Sequence, residues 1–339
     1  MNTANTLNKV FSAGLLISML VFGAVRPAWS DESQPLPEIR VATLKFGTLN
    51  WELDTMAHQH FDEKSGFRLK TIALASMTAT RTALMSRSAD VIVADWIWVS
   101  QQRNRGIPLQ FIPYSSSIGK LMVPKGSAIE SLADLKGKRI GIAGGPADKG
   151  WLLLRAGALQ QGFDLKQSSQ QQFAAPPLLN AALERGQIDA VLTFWHYAAR
   201  LEGKGHRSLL DLKQISAQLG LDNDLPMLGL VFHQQWAQQY PDRVKALQAA
   251  SMQSKYHLRD QPDAWQRLRP LMGAKTTAVF ERLKAGYLAG IPTPLSAKLQ
   301  QQAQQMFTLL AGIGGSELMG KHQQLDPDTF WSEQQTPTQ

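Results

Sequence analysis

The chain of 339 residues contains no cysteine. That absence excludes a disulfide scaffold, a zinc–thiolate site, an iron–sulfur cluster, a thiol nucleophile and a lipid-modified amino-terminal cysteine. Charge is sparse too: 18% of residues are charged and 8% aromatic, beside 44% hydrophobic. This is the balance of a globular protein, neither disordered nor collagenous, and the length suits two domains that each bury a core. Acidic residues number 27 against 35 basic, a formal charge of +8 with a sequence pI near 9.6. The excess invites a nucleic-acid reading. The densest basic groups, Arg103 with Arg105 and Lys136 with Lys138 and Arg139, carry no interleaved aromatic residues, so no nucleic-acid partner is expected.

Long apolar runs are also lacking, with one exception at the start. Lys9 precedes an apolar run from Val10 to Val25, and Ala28-Trp29-Ser30 places small residues where a signal peptidase reads them. The run is short against the roughly 20 residues that span a bilayer. The pattern predicts a signal peptide over residues 1–30, cleaved after about Ser30, and a secreted periplasmic protein. Cleavage there removes Lys9 and Arg26 and no acid, leaving a formal charge of +6.

From Ile39 onward short β-type runs alternate with longer helical ones. Strands are predicted at 39–44, 68–74, 90–93, 109–113, 120–123, 139–143, 171–173, 188–193 and 228–232. Helices are predicted at 51–64 and 78–86, and after Tyr240 at 241–256, 264–271, 276–288 and 296–310. The alternation predicts βαβ units and mainly parallel sheet. One internal echo stands out. Aligning Asp90 with Asp189 matches Ala83-Leu84 to Ala182-Leu183, Val91-Ile92-Val93 to Ala190-Val191-Leu192, and Trp96 to Trp195. A weaker echo pairs Arg40-Val41 with Arg139-Ile140, each followed by a glycine-containing loop and a tryptophan, Trp51 and Trp151. Two βαβ units can look alike by their shared architecture; the alternative is two lobes of one topology. In that case the segments after the strands converge on a common cleft, where open α/β sheets bind ligands.

Several motifs in order carry a resemblance. Ser131-Leu-Ala-Asp-Leu-Lys-Gly-Lys-Arg-Ile-Gly-Ile142, preceded by Lys120-Leu-Met-Val-Pro-Lys-Gly126, resembles the start of the second lobe in periplasmic solute-binding proteins of ABC importers. Ala182-Leu-Glu-Arg-Gly-Gln-Ile-Asp-Ala-Val191 resembles the segment before that lobe's last parallel strand. Ile39-Arg-Val-Ala-Thr-Leu-Lys-Phe-Gly-Thr-Leu-Asn-Trp51 resembles the nitrate, sulfonate and taurine branch, which shares its fold with thiamine-pyrimidine synthases. The resemblance covers most of residues 38–260. It implies a type II periplasmic-binding-protein fold: two small, mainly parallel sheets joined by a two-strand hinge, with a helical carboxyl-terminal tail. Lobe one is then 36–117 plus 237–339 and lobe two 118–236, with crossings near Tyr114 to Ile118 and His233 to Trp236. It further implies a monomer that captures a small-molecule solute between its lobes and hands it to a cognate ABC permease at the inner membrane. The Phe-Gly-Thr-Leu-Asn-Trp block also resembles that of relatives which accompany periplasmic alcohol-oxidising quinoproteins. The alternative reading is therefore an accessory protein that uses the same fold to assist an oxidoreductase.

The expected ligand-binding residues follow the strand ends: Phe46, Gly47, Thr48, Asn50 and Trp51; Ser76, Met77 and Thr78; Asp95 and Trp96; Ser115 and Ser117 at the crossing. In lobe two they are Gly144, Gly145, Pro146 and Asp148, then Thr193, Trp195 and His196. Helix amino termini among these loops suit an anion, whereas Asp95 and Asp148 oppose one unless they serve as helix caps. The tryptophans suit an apolar, planar or cationic ligand part, or simply pack a core.

No cofactor, metal site or catalytic residue is expected. Gly315 to Lys321 has phosphate-loop spacing, but His322 stands where a Ser or Thr would contact magnesium. His58 and His60 point apart on a helix, and Asp222-Asn-Asp224 lacks the rest of a calcium loop. A pyrimidine-synthase activity would need a cytosolic setting, which the signal peptide contradicts.

Overall fold

The computed structural model describes residues 35–319 and 324–332; the predicted signal peptide and part of the Gly315 to Lys321 motif lie outside them. The chain from Leu36 onward forms one unit, built on two five-stranded sheets. The strands are β1 (Glu38–Leu44), β2 (Arg68–Leu74), β3 (Val91–Ala94), β4 (Leu109–Ser115), β5 (Gly119–Val123), β6 (Arg139–Ala143), β7 (Gln170–Ala174), β8 (Ala190–Phe194), β9 (Arg207–Asp211) and β10 (Leu228–His233). One sheet runs β2-β1-β3-β10-β4 and the other β7-β6-β8-β5-β9. In the first, β1 pairs parallel with β2 and β3, and β10 antiparallel with β3 and β4. In the second, β6 pairs parallel with β7 and β8, and β5 antiparallel with β8 and β9. Four strands of each sheet therefore point one way. The reversed strand, β5 or β10, is the one that the chain reaches on crossing from the other lobe.

The two sequence echoes are one device made twice. The Arg40 side chain donates to both oxygens of Asp90 at 3.0 and 2.7 Å and to the Arg87 carbonyl, while its backbone N–H reaches Asp90 at 2.8 Å. Arg139 does the same to Asp189 at 3.1 and 2.7 Å, to the Gly186 carbonyl, and through its N–H at 2.8 Å. In each lobe an arginine on β1 or β6 ties down the aspartate that precedes β3 or β8.

Several boundaries differ from the sequence reading. β10 belongs to the first sheet, so the return crossing precedes Leu228 instead of following Phe232. The segment 51–64 is two helices, Leu49–His58 and Phe61–Lys64, because His60 turns left-handed at φ 55°. β9 has no counterpart among the predicted strands; it is a half-buried edge strand without a strong apolar alternation. The tail does not stay with lobe one. Helix Thr277–Leu288 packs on helix Trp195–Glu202, and helix Ala297–Met319, kinked at Gly315, packs on helix Lys149–Gln160. Leu299, Ala303, Met306, Phe307 and Leu310 form the buried stripe of that last helix. Ala303, Met306, Phe307 and Leu310 join a core holding Trp96 and Phe111 of lobe one and Trp151 to Leu154 of lobe two. No helix among the described residues is long and apolar enough to cross a membrane.

Candidate functional site

Where the lobes meet, Thr48, Tyr114, Ser115, Lys255, Tyr287, Gly290 and Ile291 face Trp195 across a cavity of about 10 Å³. That is room for about one water. Thr48 opens helix Leu49–His58, Tyr114 and Ser115 end β4 at the crossing, and the tail supplies Lys255, Tyr287, Gly290 and Ile291. Lobe two contributes Trp195 alone. Its ring lies so close to Gly286 that a Cβ there would sit 2.7 Å from Cε3, and it meets Trp51 edge-on at 6.1 Å between centroids. Gly290 is equally constrained: a Cβ would overlap Ser117 Oγ. Ser117 Oγ donates to the Gly286 carbonyl at 3.2 Å, and Ser116 N–H to the Gly290 carbonyl at 3.0 Å, so the crossing is stitched to the tail.

Behind this wall lies a buried ionic cluster. Lys255 Nζ donates to Glu52 Oε2 and stands 4.0 Å from the centre of the Tyr114 ring. Tyr287 donates to the same oxygen at 2.9 Å, and Ser251 donates to Oε1 at 2.6 Å. Glu52 is fully buried and Lys255 2% exposed. Burial lowers the Lys255 ammonium's pKa while Glu52 opposes the shift. Burial, and then the Glu52 charge, push the Tyr114 and Tyr287 phenols up, so both keep their protons.

Toward the cleft mouth, charges face one another across the lobes. Asp95 Oδ2 is 3.8 Å from Arg81 and 4.0 Å from Lys149 of lobe two. Asp148 caps helix Lys149–Gln160 by accepting from the N–H of Gly150 at 2.8 Å and of Trp151 at 3.3 Å. Burial raises the Asp148 carboxyl's pKa against the pull of Lys149 and those two N–H groups; nearby Asp95 raises it further. Phe46, Met77 and Leu178, which follow β1, β2 and β7, are exposed here. A larger hollow of about 330 Å³, lined by Phe67, Tyr240 and Arg243 among others, opens at the amino ends of β1 and β2, opposite the face where such sheets bind ligands.

The predicted residues therefore separate. Thr48, Ser115 and Trp195 line the cavity, and Ser117 stands behind it against Gly290. Asp95, Asp148, Gly144 and Gly145 lie on the loops of the mouth; both glycines have positive φ, and a Cβ at Gly144 would overlap Asp148. Phe46, Met77, Thr78 and Pro146 are exposed, and Ser76 caps helix Met77–Met85 through the Ala79 N–H. Gly47 forms the tight turn after β1.

Others are corrected. Asn50 is folded onto its own loop, donating to the carbonyls of Leu44 at 2.7 Å and Gly47 at 3.1 Å. Trp51 is 3% exposed and packs on Trp265 and Tyr287. Trp96 is not in the cleft but fully buried, because Phe330 returns to cover it at 6.4 Å. Thr193 is buried in lobe two, and its Oγ1 has no hydrogen-bond partner among the described residues. His196 Nδ1 is likewise buried, and burial lowers the imidazole to about 3, with Arg200 adding to the effect. It is neutral at ordinary pH.

Lys255 and Tyr287 were absent from the sequence reading because they belong to the tail. One signal was present. Val244, Leu247, Ser251, Ser254, Lys255 and Leu258 share the buried stripe of helix Pro241–Asp260, and a lysine in phase with such a stripe needs a partner.

A family model described as NMT1/THI5 like matches residues 54–265. No curated protein matches the chain significantly. Among solved structures, the alkanesulfonate-binding protein SsuA from Xanthomonas axonopodis pv. citri, bound to MOPS, superposes with a TM-score of 0.69 at 21% identity over 88% of this chain and 99% of that one. The periplasmic aliphatic sulphonate binding protein SsuA from Escherichia coli gives 0.67 at 19% identity over 87% and 97%. The periplasmic nitrate-binding protein NrtA from Synechocystis gives 0.58 at 13% over 81% and 80%. At these identities the likeness shows the fold, a two-lobed periplasmic-binding-protein architecture.

Proposed function

We propose that this chain, which belongs to the NMT1/THI5-like family, is the substrate-binding component of an ABC-type importer: it captures a small organic solute between its lobes in the periplasm and delivers it to a membrane permease. The observation that carries this reading is the cavity at the seam, walled by a helix start of one lobe, by the tail, by the strand crossing, and by Trp195 of the other lobe. A solute held there touches both lobes and therefore favours the closed state, which a ligand bound to one lobe alone would not do. Structural neighbours named for sulfonate and nitrate binding support a solute of similar size. The seam's polar side-chain groups are hydroxyls, the Trp195 indole N–H and a paired ammonium, a set suited to holding a ligand and not to turning one over. We take the protein to be a monomeric binding protein, not an enzyme, with residues 1–30 removed on export.

The small volume of the cavity favours a second reading, a periplasmic accessory protein that assists an oxidoreductase, for example a quinoprotein system, and carries no solute. Mass spectrometry of small molecules released by denaturing the native protein separates the two. One stoichiometric compound is the expected result. A clean blank together with a stable co-purifying oxidoreductase overturns the importer reading.

A further inference from the structure

The lysine that lines the seam cavity is not a free charge. Lys255 spends its ammonium on Glu52 and on the face of Tyr114, and Glu52 is in turn saturated by Lys255, Tyr287 and Ser251. At the helix start that borders the cavity, the Asn50 N–H donates to the Gly47 carbonyl at 3.3 Å and the Trp51 N–H to the Thr48 carbonyl at 3.1 Å. At the mouth, Arg81 and Lys149 are balanced by Asp95 and Asp148. Lys213, the remaining cation near the crossing, is turned onto Ser116 Oγ and the Ala289 carbonyl at 3.3 and 3.5 Å and does not line the cavity. What the lining side chains keep for a ligand are neutral donors, the hydroxyls and the Trp195 indole N–H. Ser115 Oγ accepts from the Ser117 N–H at 3.1 Å and keeps its own proton, and burial holds the Tyr114 phenol protonated at the cavity wall.

We infer that the solute is a small neutral molecule offering a hydrogen-bond acceptor, such as a carbonyl or sulfone oxygen, to Ser115 and Tyr114, and that Glu52 sets this preference by cancelling the charge of Lys255. This rests on the solute-binding reading above. A monoanion at the seam would meet Lys255 at the cavity wall with the Glu52 carboxylate bonded directly to its ammonium, so in a medium of low dielectric the carboxylate offsets much of the attraction while the cost of losing water stays.

The test compares two probes alike in shape and different in charge, dimethyl sulfone and methanesulfonate, titrated calorimetrically into solute-stripped protein. The wild type is expected to bind the sulfone at least tenfold more tightly. Glu52→Gln, which leaves the lysine uncompensated, is expected to reverse that order by raising methanesulfonate affinity tenfold or more. Should Glu52→Gln fail to fold, the charge-free pair Glu52→Gln with Lys255→Met must keep the preference for the sulfone. A wild type that prefers methanesulfonate, or a Glu52→Gln protein with unchanged order, overturns the inference while solute binding stands. If neither probe binds and denaturation releases no compound, the inference and the solute-binding reading fall together.

Discussion

Gly286 and Trp195 make a sign-reversing test of the seam. Gly286 lies inside helix Thr277–Leu288, where alanine in place of glycine ordinarily stabilises by about 0.5–1 kcal/mol. Here the new Cβ would stand 2.7 Å from Cε3 of the Trp195 ring, a bulky side chain itself packed edge-on against Trp51. Overpacking of this kind costs about 1–3 kcal/mol, so Gly286→Ala should destabilise the wild type by about 0.5–2 kcal/mol. Trp195→Ala removes the obstacle. It also uncovers roughly half of the 150–250 Å² that an aromatic side chain buries, a cost of about 2–3 kcal/mol at 25 cal/mol per Å². In that background Gly286→Ala should become stabilising by about 0.5–1 kcal/mol. Urea unfolding of the four proteins, followed by circular dichroism, measures the cycle. The same sign for Gly286→Ala in both backgrounds would refute the packing of Trp195 against the tail.

Three further outcomes are expected. Lys255→Met or Glu52→Gln alone should cost about 3–5 kcal/mol by leaving a buried charge unpaired, whereas the double replacement should cost far less than their sum; urea midpoints decide this. His196 is neutral in the fold, with its pKa lowered to about 3 from an ordinary 6.5. The unfolded chain therefore takes up a proton that the folded one refuses, and the stability His196 contributes is complete above pH 6.5 and is lost as pH falls toward 3. Between pH 7 and about pH 5 the wild type should lose about 2 kcal/mol more than His196→Gln does, on the basis of 1.4 kcal/mol per pH unit. Arg40→Gln and Arg139→Gln break the twin arginine–aspartate ties, both partly exposed. Each should lower the urea midpoint, and by similar amounts, in the same unfolding measurement.

How much of this was legible depended on whether the signal was local. β2 and β6 have the predicted limits, and the Asp90 and Asp189 echo marked two lobes of one topology, because short apolar runs between turns are written in adjacent residues. The site was harder. Trp96 and Trp195 occupy equivalent places in the repeat, yet Trp96 is core because Phe330, more than two hundred residues later, pairs with Phe111 and closes over it. Trp195 has no such cover and meets the tail instead. Asn50 looked free to reach a ligand, but its own turn consumes its amide protons. Lys255 and Tyr287 reach the seam only because the tail crosses back over both lobes, a placement set by long-range packing and not by neighbouring sequence.

The central claim, a solute held between two lobes that close on it, is tested most directly by an interlobe distance. The absence of native cysteine lets Ala75→Cys and Ala147→Cys, exposed on the strand-end loops of opposite lobes, carry the sole spin labels. Pulsed electron spin resonance on stripped protein, repeated as the recovered solute is titrated, reads the separation. The account predicts a shortening that saturates at the same solute concentration as binding measured by calorimetry. Saturated binding with an unchanged distance distribution would contradict it.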